Sequence, residues 1–208
     1  YQCQFRYVTG RLSYRTAMKY LAITGGIGSG KSYICKLLAD HGVRVYDCDM
    51  EARRLMNEDK DMQEALCHLV GKPIFFLVIL QKSILTHFLL ASEDNQQAVN
   101  EIIHPAVAAD FKRSGYTWLE SAILFDSGFD RRVNFSYRVC VSAPLDIRVE
   151  RIMRRNGISR SKALEWVRGK MPQDKVAARC DFVIVNDGSS PLAPQVEQLL
   201  SSVPDGSL

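Results

Sequence analysis

The chain has 208 residues, is 47% hydrophobic and carries a formal net charge of +4. That length and apolar content suffice for one domain with a sizeable core and a small insertion, and they exclude a disordered chain. Three of the 27 basic residues (Arg6, Arg11 and Arg15) fall in the acid-free stretch 1–17; without them 24 basic residues face 23 acidic ones, so the charge makes only a weak case for a nucleic-acid partner.

Residues 1–17 show no period, and Met18 stands just ahead of the first strand. They read as a non-native or disordered extension with Met18 as the natural start; an Arg-rich, acid-free transit segment is the other reading, and a secretory signal is excluded by the lack of an apolar stretch. Tyr20-Leu21-Ala22-Ile23-Thr24 is a short apolar run suited to a buried strand. Ser32 to His41, with Ile34, Leu37 and Leu38 at helical spacing, predicts a helix stopped by Gly42. Val43 to Tyr46 predicts a second strand ending at Asp47. Helical patterns fill much of 50–70 and 83–113. Tyr116 to Leu124 and Tyr137 to Ala143 predict the third and fourth strands. A helix opens at Pro144 and stops at Asn156-Gly157. Another is capped by Ser159 and runs to Gly169. The fifth strand is Phe182 to Val185, ended by the turn signal Asn186-Asp187-Gly188. A last helix spans Pro191 to Leu200, with disorder expected from Ser201 to Leu208.

Alternating strands and helices predict an α/β fold, a five-stranded parallel sheet with helices on both faces in three layers. Residues 18–208 read as a single domain. Residues 50–113 form a helical insertion with room to bind a second substrate. Residues 148–179 are rich in Arg and Lys among interspersed acids, which fits either a solvated helical face or a lid whose arginines close on a phosphate. Six cysteines at 3, 35, 48, 67, 140 and 180 show no C-x-x-C pair and no zinc-ligand spacing, so they read as free thiols in a reducing compartment. The longest apolar run, Pro73 to Leu80, is too short to span a bilayer. A soluble, cytoplasmic protein is expected.

Chemistry concentrates in two places. Gly25-Gly26-Ile27-Gly28-Ser29-Gly30-Lys31-Ser32 matches G-x-x-x-x-G-K-[ST] between a strand and a helix, where a phosphate cradle needs it. Glycines let the backbone wrap phosphates with N–H groups inward, and the helix N-terminus adds partial positive charge. Lys31 would reach the outer phosphates, and Ser32 would offer its hydroxyl to Mg²⁺. The candidate ATP-binding residues are Gly26, Ile27, Gly28, Ser29, Gly30, Lys31, Ser32 and the adjoining Tyr33. Asp47-Cys48-Asp49 follows the second strand, at the sheet edge where ligands of open parallel sheets bind. A carboxylate there could take a proton from an acceptor hydroxyl or help hold Mg²⁺ through water, and a turn or helix-cap role explains the pair equally. The residues alone thus point to an ATP-dependent phosphotransferase of the P-loop kinase type.

With these residues in view, 19–200 resembles the dephospho-CoA kinase family. Thr24 to Ser32 resembles its P-loop. Val45-Tyr46-Asp47-Cys48-Asp49 with Ala52-Arg53 resembles V-I-D-A-D-x-x-A-R, and Ile103-His104-Pro105 its His-Pro motif. Ile123-Leu124-Phe125 resembles part of P-L-L-F-E. Glu150-Arg151 with Arg155-Asn156-Gly157 resembles E-R-x-x-x-R-D-G, and Asp181 to Gly188 the late A-D-x-V-I-x-N-x-G strand and loop. The resemblance implies transfer of the ATP γ-phosphoryl to the ribose 3′-hydroxyl of dephospho-CoA, the last step of CoA biosynthesis, with ATP and Mg²⁺. It implies Asp49 as the catalytic carboxylate, Arg155 as the lid arginine acting with Lys31, and Asn186 near the adenine. Arg53, His104, Leu124 and Phe125 would help form the acceptor site. Leu124 and Phe125 could equally be core, and His104-Pro105 could end a helix. The implied protein is a monomer or weak homo-oligomer with a small-molecule substrate and no nucleic-acid or membrane partner.

The chain departs from the family at 75–82, where the usual Gly is missing and only Leu80-Gln81-Lys82 echoes the pattern. Asp126 replaces a Glu, Ala122 a Pro, and Lys170 the Gln frequent in the lid. The apolar run 73–80 also reads as a pairing or aggregation surface. Other kinases of similar architecture, acting on shikimate, gluconate or a nucleoside monophosphate, are the alternative, followed by a nucleotide-hydrolysing switch or ATPase. A GTPase switch would show N-K-x-D, which this sequence lacks.

Overall fold

The computed structural model describes residues 19–76 and 79–203; the expectations for 1–17, for Met18 as a start and for the tail beyond Val203 lie outside them. The first strand, β1 (Tyr20–Thr24), is buried on both faces. Leu21 and Ile23 point to one side, against Ile34 and Leu38 of α1 (Lys31–Asp40) and Val196 and Leu199 of α10 (Leu192–Ser202). Ala22 points to the other side and joins the core of the helical insertion. A two-residue side-chain period with apolar residues on both faces is what a parallel strand covered by two helical layers requires. Each side chain removed from water here contributes roughly 1.5–3 kcal/mol.

The remaining sheet strands are β2 (Val45–Asp47), β5 (Trp118–Glu120), β6 (Phe135–Ser142) and β7 (Phe182–Val185). Their order is β2-β5-β1-β6-β7 and all pairs are parallel. The five-stranded parallel sheet is the expected one. Its register aligns Asp47 with Glu120 and Glu120 with Ile23, bringing three carboxyl-end residues into one row beside the glycine loop.

Between β2 and β5 lie α2 (Cys48–Glu58), α3 (Lys60–Val70), α4 (Lys82–Ala91) and α5 (Glu93–Arg113). Two short antiparallel strands, β3 (Phe75–Phe76) and β4 (Ile79–Leu80), interrupt them. This pair is absent from the sequence reading, because a continuous apolar run gives no period by which to choose strand or helix. The reading that His104-Pro105 ends a helix is corrected: α5 continues through Pro105 for 21 residues. Pro105 and Glu101, whose carbonyl loses its helical partner, are both exposed, while Val99, Val107, Ala108 and Phe111 hold the helix from its buried side.

Between β5 and β6 lies α6 (Phe129–Arg132); α7 (Leu145–Asn156), α8 (Arg160–Arg168) and α9 (Gln173–Ala177) fill the interval before β7. The third strand is shorter than its apolar pattern. After Glu120 the chain turns through 122–128, and Leu124 and Phe125 drop into the side core instead of extending the sheet. The last helix is longer than expected: the hydroxyls of Ser201 and Ser202 donate to the Gln198 carbonyl, and Val203 is buried. Among the described residues, no helix is long and apolar enough to cross a membrane.

Candidate active site

The glycine loop joins β1 to α1. Gly28 and Gly30 have φ of +80° and +95°, a region closed to most side chains. Gly30 opens α1 with no side-chain cap, so first-turn amides without a helical partner are left for an anion. Ser29 is fully buried, and its Oγ has no hydrogen-bond partner among the described residues. An orphaned buried hydroxyl inside a cradle of amides fits an incoming phosphate.

The loop is held from outside by three side chains far away in sequence. Arg148 Nε donates to the Ile27 carbonyl at 3.0 Å. Arg151 donates to the Gly28 and Ser29 carbonyls and to Asn186 Oδ1. Asn186 Nδ2 donates to the Ser29 carbonyl at 2.8 Å. With these carbonyls tied outward, the alternate amides are free to face inward. Two glycines are demanded by this brace itself: a Cβ on Gly26 would strike the Arg148 guanidinium, and one on Gly28 would come within 2.6 Å of the Arg148 carbonyl oxygen. Arg148 is only 5% exposed, and burial lowers its pKa. Ile27 also packs into the small core of the α7–α8 hairpin, with Ile152, Ala163 and Trp166.

A cleft of about 970 Å³ opens at the carboxyl ends of β2, β5 and β1. Lys31, Ser32, Asp47, Asp49, Glu120 and Arg155 all line it. Lys31 and Glu120 form a buried ion pair, Nζ to Oε1 at 3.5 Å. Burial raises the Glu120 pKa, Lys31 pulls it back, and Asp47 and Asp49 push it up further. The two members of the D-x-D pair have separate roles. Asp47 caps α2, its Oδ1 accepting from the Met50 amide at 2.9 Å, while Asp49 is exposed on the first turn and faces the cleft. Hard oxygen donors (the Ser32 hydroxyl and these carboxylates) are the ligand type that Mg²⁺ takes.

The structure brings Lys31, Ser32, Asp49 and Arg155 together around this cleft, with Ile27 and Gly28 in its wall. Tyr33, in the first turn of α1, is 55% exposed. Arg53 lies one turn beyond Asp49 on α2, and His104 lines a small cavity of about 60 Å³ shared with Asp49, Ala52 and Ile123. Leu124 is fully buried, and Phe125 lies beneath the Arg179 guanidinium, 4.0 Å from its ring centroid; Ile123 is the residue of that segment that reaches the cleft. Asp126 accepts from the Met171 amide at 3.2 Å, tying the turn to the segment after α8. Lys170 lines the cleft.

Glu120, Arg148 and Arg151 were not singled out from sequence as site residues. Glu120 carried a signal, an acid closing an apolar strand at the binding edge. Arg148 and Arg151 were hidden among ten basic residues of 148–179, since nothing in composition separates a loop-bracing arginine from a solvated one. Burial pushes the Cys35 thiol up to about 12 and raises Cys48 as well.

Comparison with known proteins agrees with this geometry. The family model "Dephospho-CoA kinase" matches residues 19–191. A dephospho-CoA kinase of Bacteroides fragilis is 40% identical over 188 residues, covering 87% of this chain and 91% of the relative. A Thermus thermophilus protein of known crystal structure superposes with a TM-score of 0.72 at 30% identity, covering 88% of this chain and 95% of that one. A dephospho-CoA kinase from Campylobacter jejuni, at 16% identity and TM-score 0.64 over 91% of this chain and 98% of its own, shares the fold. With a family model spanning most of its length and a 40% identical relative covered almost end to end, the chain belongs to the dephospho-CoA kinase family.

Proposed function

We propose that this kinase acts through Asp49, Lys31 and Arg155, transferring the γ-phosphoryl of ATP to the ribose 3′-hydroxyl of dephospho-CoA to give coenzyme A and ADP. The observation that carries the assignment is a single cleft lined by a free carboxylate, a P-loop lysine and an arginine of the α7 terminus. Asp49 accepts the proton of the acceptor hydroxyl as its oxygen bonds to the γ-phosphorus and the β–γ bridging bond breaks toward ADP. Lys31, held by Glu120, and Arg155 offset the charge spread over the transferring group. Magnesium bound with the nucleotide would neutralise β- and γ-oxygen charge, and Ser32 would hold it.

Gly26 to Ser32 cradle the phosphates, with Tyr33 at the rim. Asn186 acts on the nucleotide through its bond to the Ser29 carbonyl. Arg53 and His104 contact the acceptor, while Leu124 and Phe125 act from the core by fixing Ile123. The insertion, about 50–113, is the acceptor half, and about 148–179 the lid. The same reading carries a cytoplasmic, reducing setting, a monomer or weak homo-oligomer, and no nucleic-acid or membrane partner.

The test is ADP release from MgATP with dephospho-CoA, beside shikimate, gluconate and AMP. Stimulation by dephospho-CoA alone is expected. Equal stimulation by another acceptor, or none by dephospho-CoA in a folded protein that binds ATP, overturns the assignment.

A further inference from the structure

Among the described residues, three cations line the catalytic cleft: Lys31, Arg155 and Lys170. The mechanism above uses the first two and leaves Lys170 without a task. Lys31 is committed to Glu120, and Glu165, the lid carboxylate of the same cleft, is committed to Lys162 at 2.7 Å. Lys170 is exposed and makes no ion pair among the described residues. It is also the lid position where the sequence departs from the Gln frequent in the family.

The order of the sheet fixes where this ammonium lies. β5 stands between β1, which leads into the glycine loop, and β2, which leads to Asp49. The turn after β5 therefore opens between the phosphate cradle and the proposed base. Ala122 and Ile123, at the start of that turn, share the cleft with Gly169 and Lys170. Gly169 caps the end of α8, and the Met171 amide is tied to Asp126 of the same turn at 3.2 Å. Lys170 is thus held from both sides at the middle of the cleft, where a group passing from the nucleotide to the acceptor must cross. Its three donors on a flexible four-carbon stem suit a partner that changes position during the reaction.

We propose that Lys170 is a further catalytic residue, its ammonium meeting the non-bridging oxygens of the γ-phosphoryl group as that group crosses the cleft. The ammonium keeps its protons and offsets charge on the transferring group. The acceptor oxygen still bonds to the γ-phosphorus, the β–γ bridging bond breaks toward ADP, and the hydroxyl proton goes to Asp49. The proposal rests on the reading of this cleft as the place of transfer with Asp49 as its base. The competing partner for Lys170 is Glu93, the exposed first residue of α5, which lines the same cleft from the insertion.

Lys170→Met removes the charge and Lys170→Arg keeps it, and melting checks the fold of each. In Lys170→Met, kcat and kcat/KM are expected to fall together about 10- to 100-fold, the scale of one hydrogen bond to a charged group made in the transition state. Calorimetric affinity for ATP should stay within about twofold, and Lys170→Arg should keep kcat within about threefold. The same loss is expected when Lys170→Met is made in a Glu93→Gln background, because the phosphoryl group is the partner. A loss that vanishes in that background makes Lys170 a latch between lid and insertion and overturns the proposal. A folded Lys170→Met protein with wild-type kcat, or one whose loss lies in ATP affinity, overturns it as well. Asp49→Asn is measured beside them. Wild-type turnover in that variant overturns the reading of the cleft and Lys170 with it, whereas a slow Asp49→Asn beside a fully active Lys170→Met overturns Lys170 alone.

Discussion

The glycine-loop half and the helical insertion of this molecule are built by different means. The nucleotide loop is fixed by polar contacts from residues more than 120 positions away, with Arg148, Arg151 and Asn186 gripping consecutive carbonyls. The insertion is held by apolar contacts around Leu66, Val99 and Phe111, with Tyr46, Arg54 and Asp110 as its polar tie, and leaves Phe76 and Ile79 exposed. Directional hydrogen bonds specify one backbone shape, whereas apolar contacts tolerate small shifts. The difference fits the proposed roles: every nucleoside triphosphate presents the same phosphate geometry, while the proposed acceptor carries a flexible arm.

The largest expected effect lies where the halves meet. Asp49→Asn should lower turnover by roughly 10²–10⁴-fold, with the melting temperature unchanged because the side chain is exposed. Steady-state ADP release and a thermal melt check both parts; wild-type turnover in the folded variant removes Asp49 from the mechanism.

Next come paired glycines, one from each half. Gly28 and Gly71 have nearly the same φ, +80° and +75°. Alanine at either site meets a left-handed backbone that costs roughly 1–2 kcal/mol. At Gly28 the new Cβ also meets the Arg148 carbonyl, while at Gly71 nothing lies within 4 Å. Gly28→Ala should therefore lose ATP binding, and Gly71→Ala should lose only stability. Equal ATP affinities in calorimetry would erase the proposed contrast between the halves.

Arg148→Met keeps most of the side-chain volume but drops the bond to Ile27. The KM for ATP should rise about tenfold, the scale of one charge-assisted hydrogen bond, with the KM for dephospho-CoA unchanged. A parallel rise in both would mean that α7 supports the whole cleft rather than the loop.

How much of this was legible beforehand follows the same division. The P-loop, its flanking strand and helix, and the parallel sheet were readable because glycine spacing and local period are properties of adjacent residues. Spacing alone did not separate Asp47 from Asp49, which only the family resemblance singled out, since a cap and a cleft-facing carboxylate differ by which way one helical turn faces. Arg148 and Asn186 act on a loop 121 and 157 residues distant, and no local pattern records such a contact. The β3–β4 pair was missed because strand and helix compete evenly for an unbroken apolar run.

The smallest expected effect concerns His104, in the helical insertion. Burial lowers its pKa from the ordinary 6.5, and the Arg132 guanidinium lowers it further. Below pH 6.5 the unfolded chain takes up a proton that the folded protein refuses, so stability declines with acidification through the window between 6.5 and the folded value. Glu120 works in the opposite sense: its pKa is raised above 4.5, chiefly by burial, so its contribution is full below 4.5 and is lost as pH rises through the folded value. The two contributions change with pH in opposite directions, so the wild-type melting profile alone mixes them. His104→Gln removes one of them. The difference between wild-type and variant melting temperatures should hold at pH 7.5 and fall as pH drops below 6.5, while that between wild type and Arg53→Gln, an exposed site, should stay flat. A flat difference for His104→Gln would mean that the imidazole is wet enough to protonate as it does in the unfolded chain, and the small cavity it shares with Asp49 would then be open to water even without an acceptor.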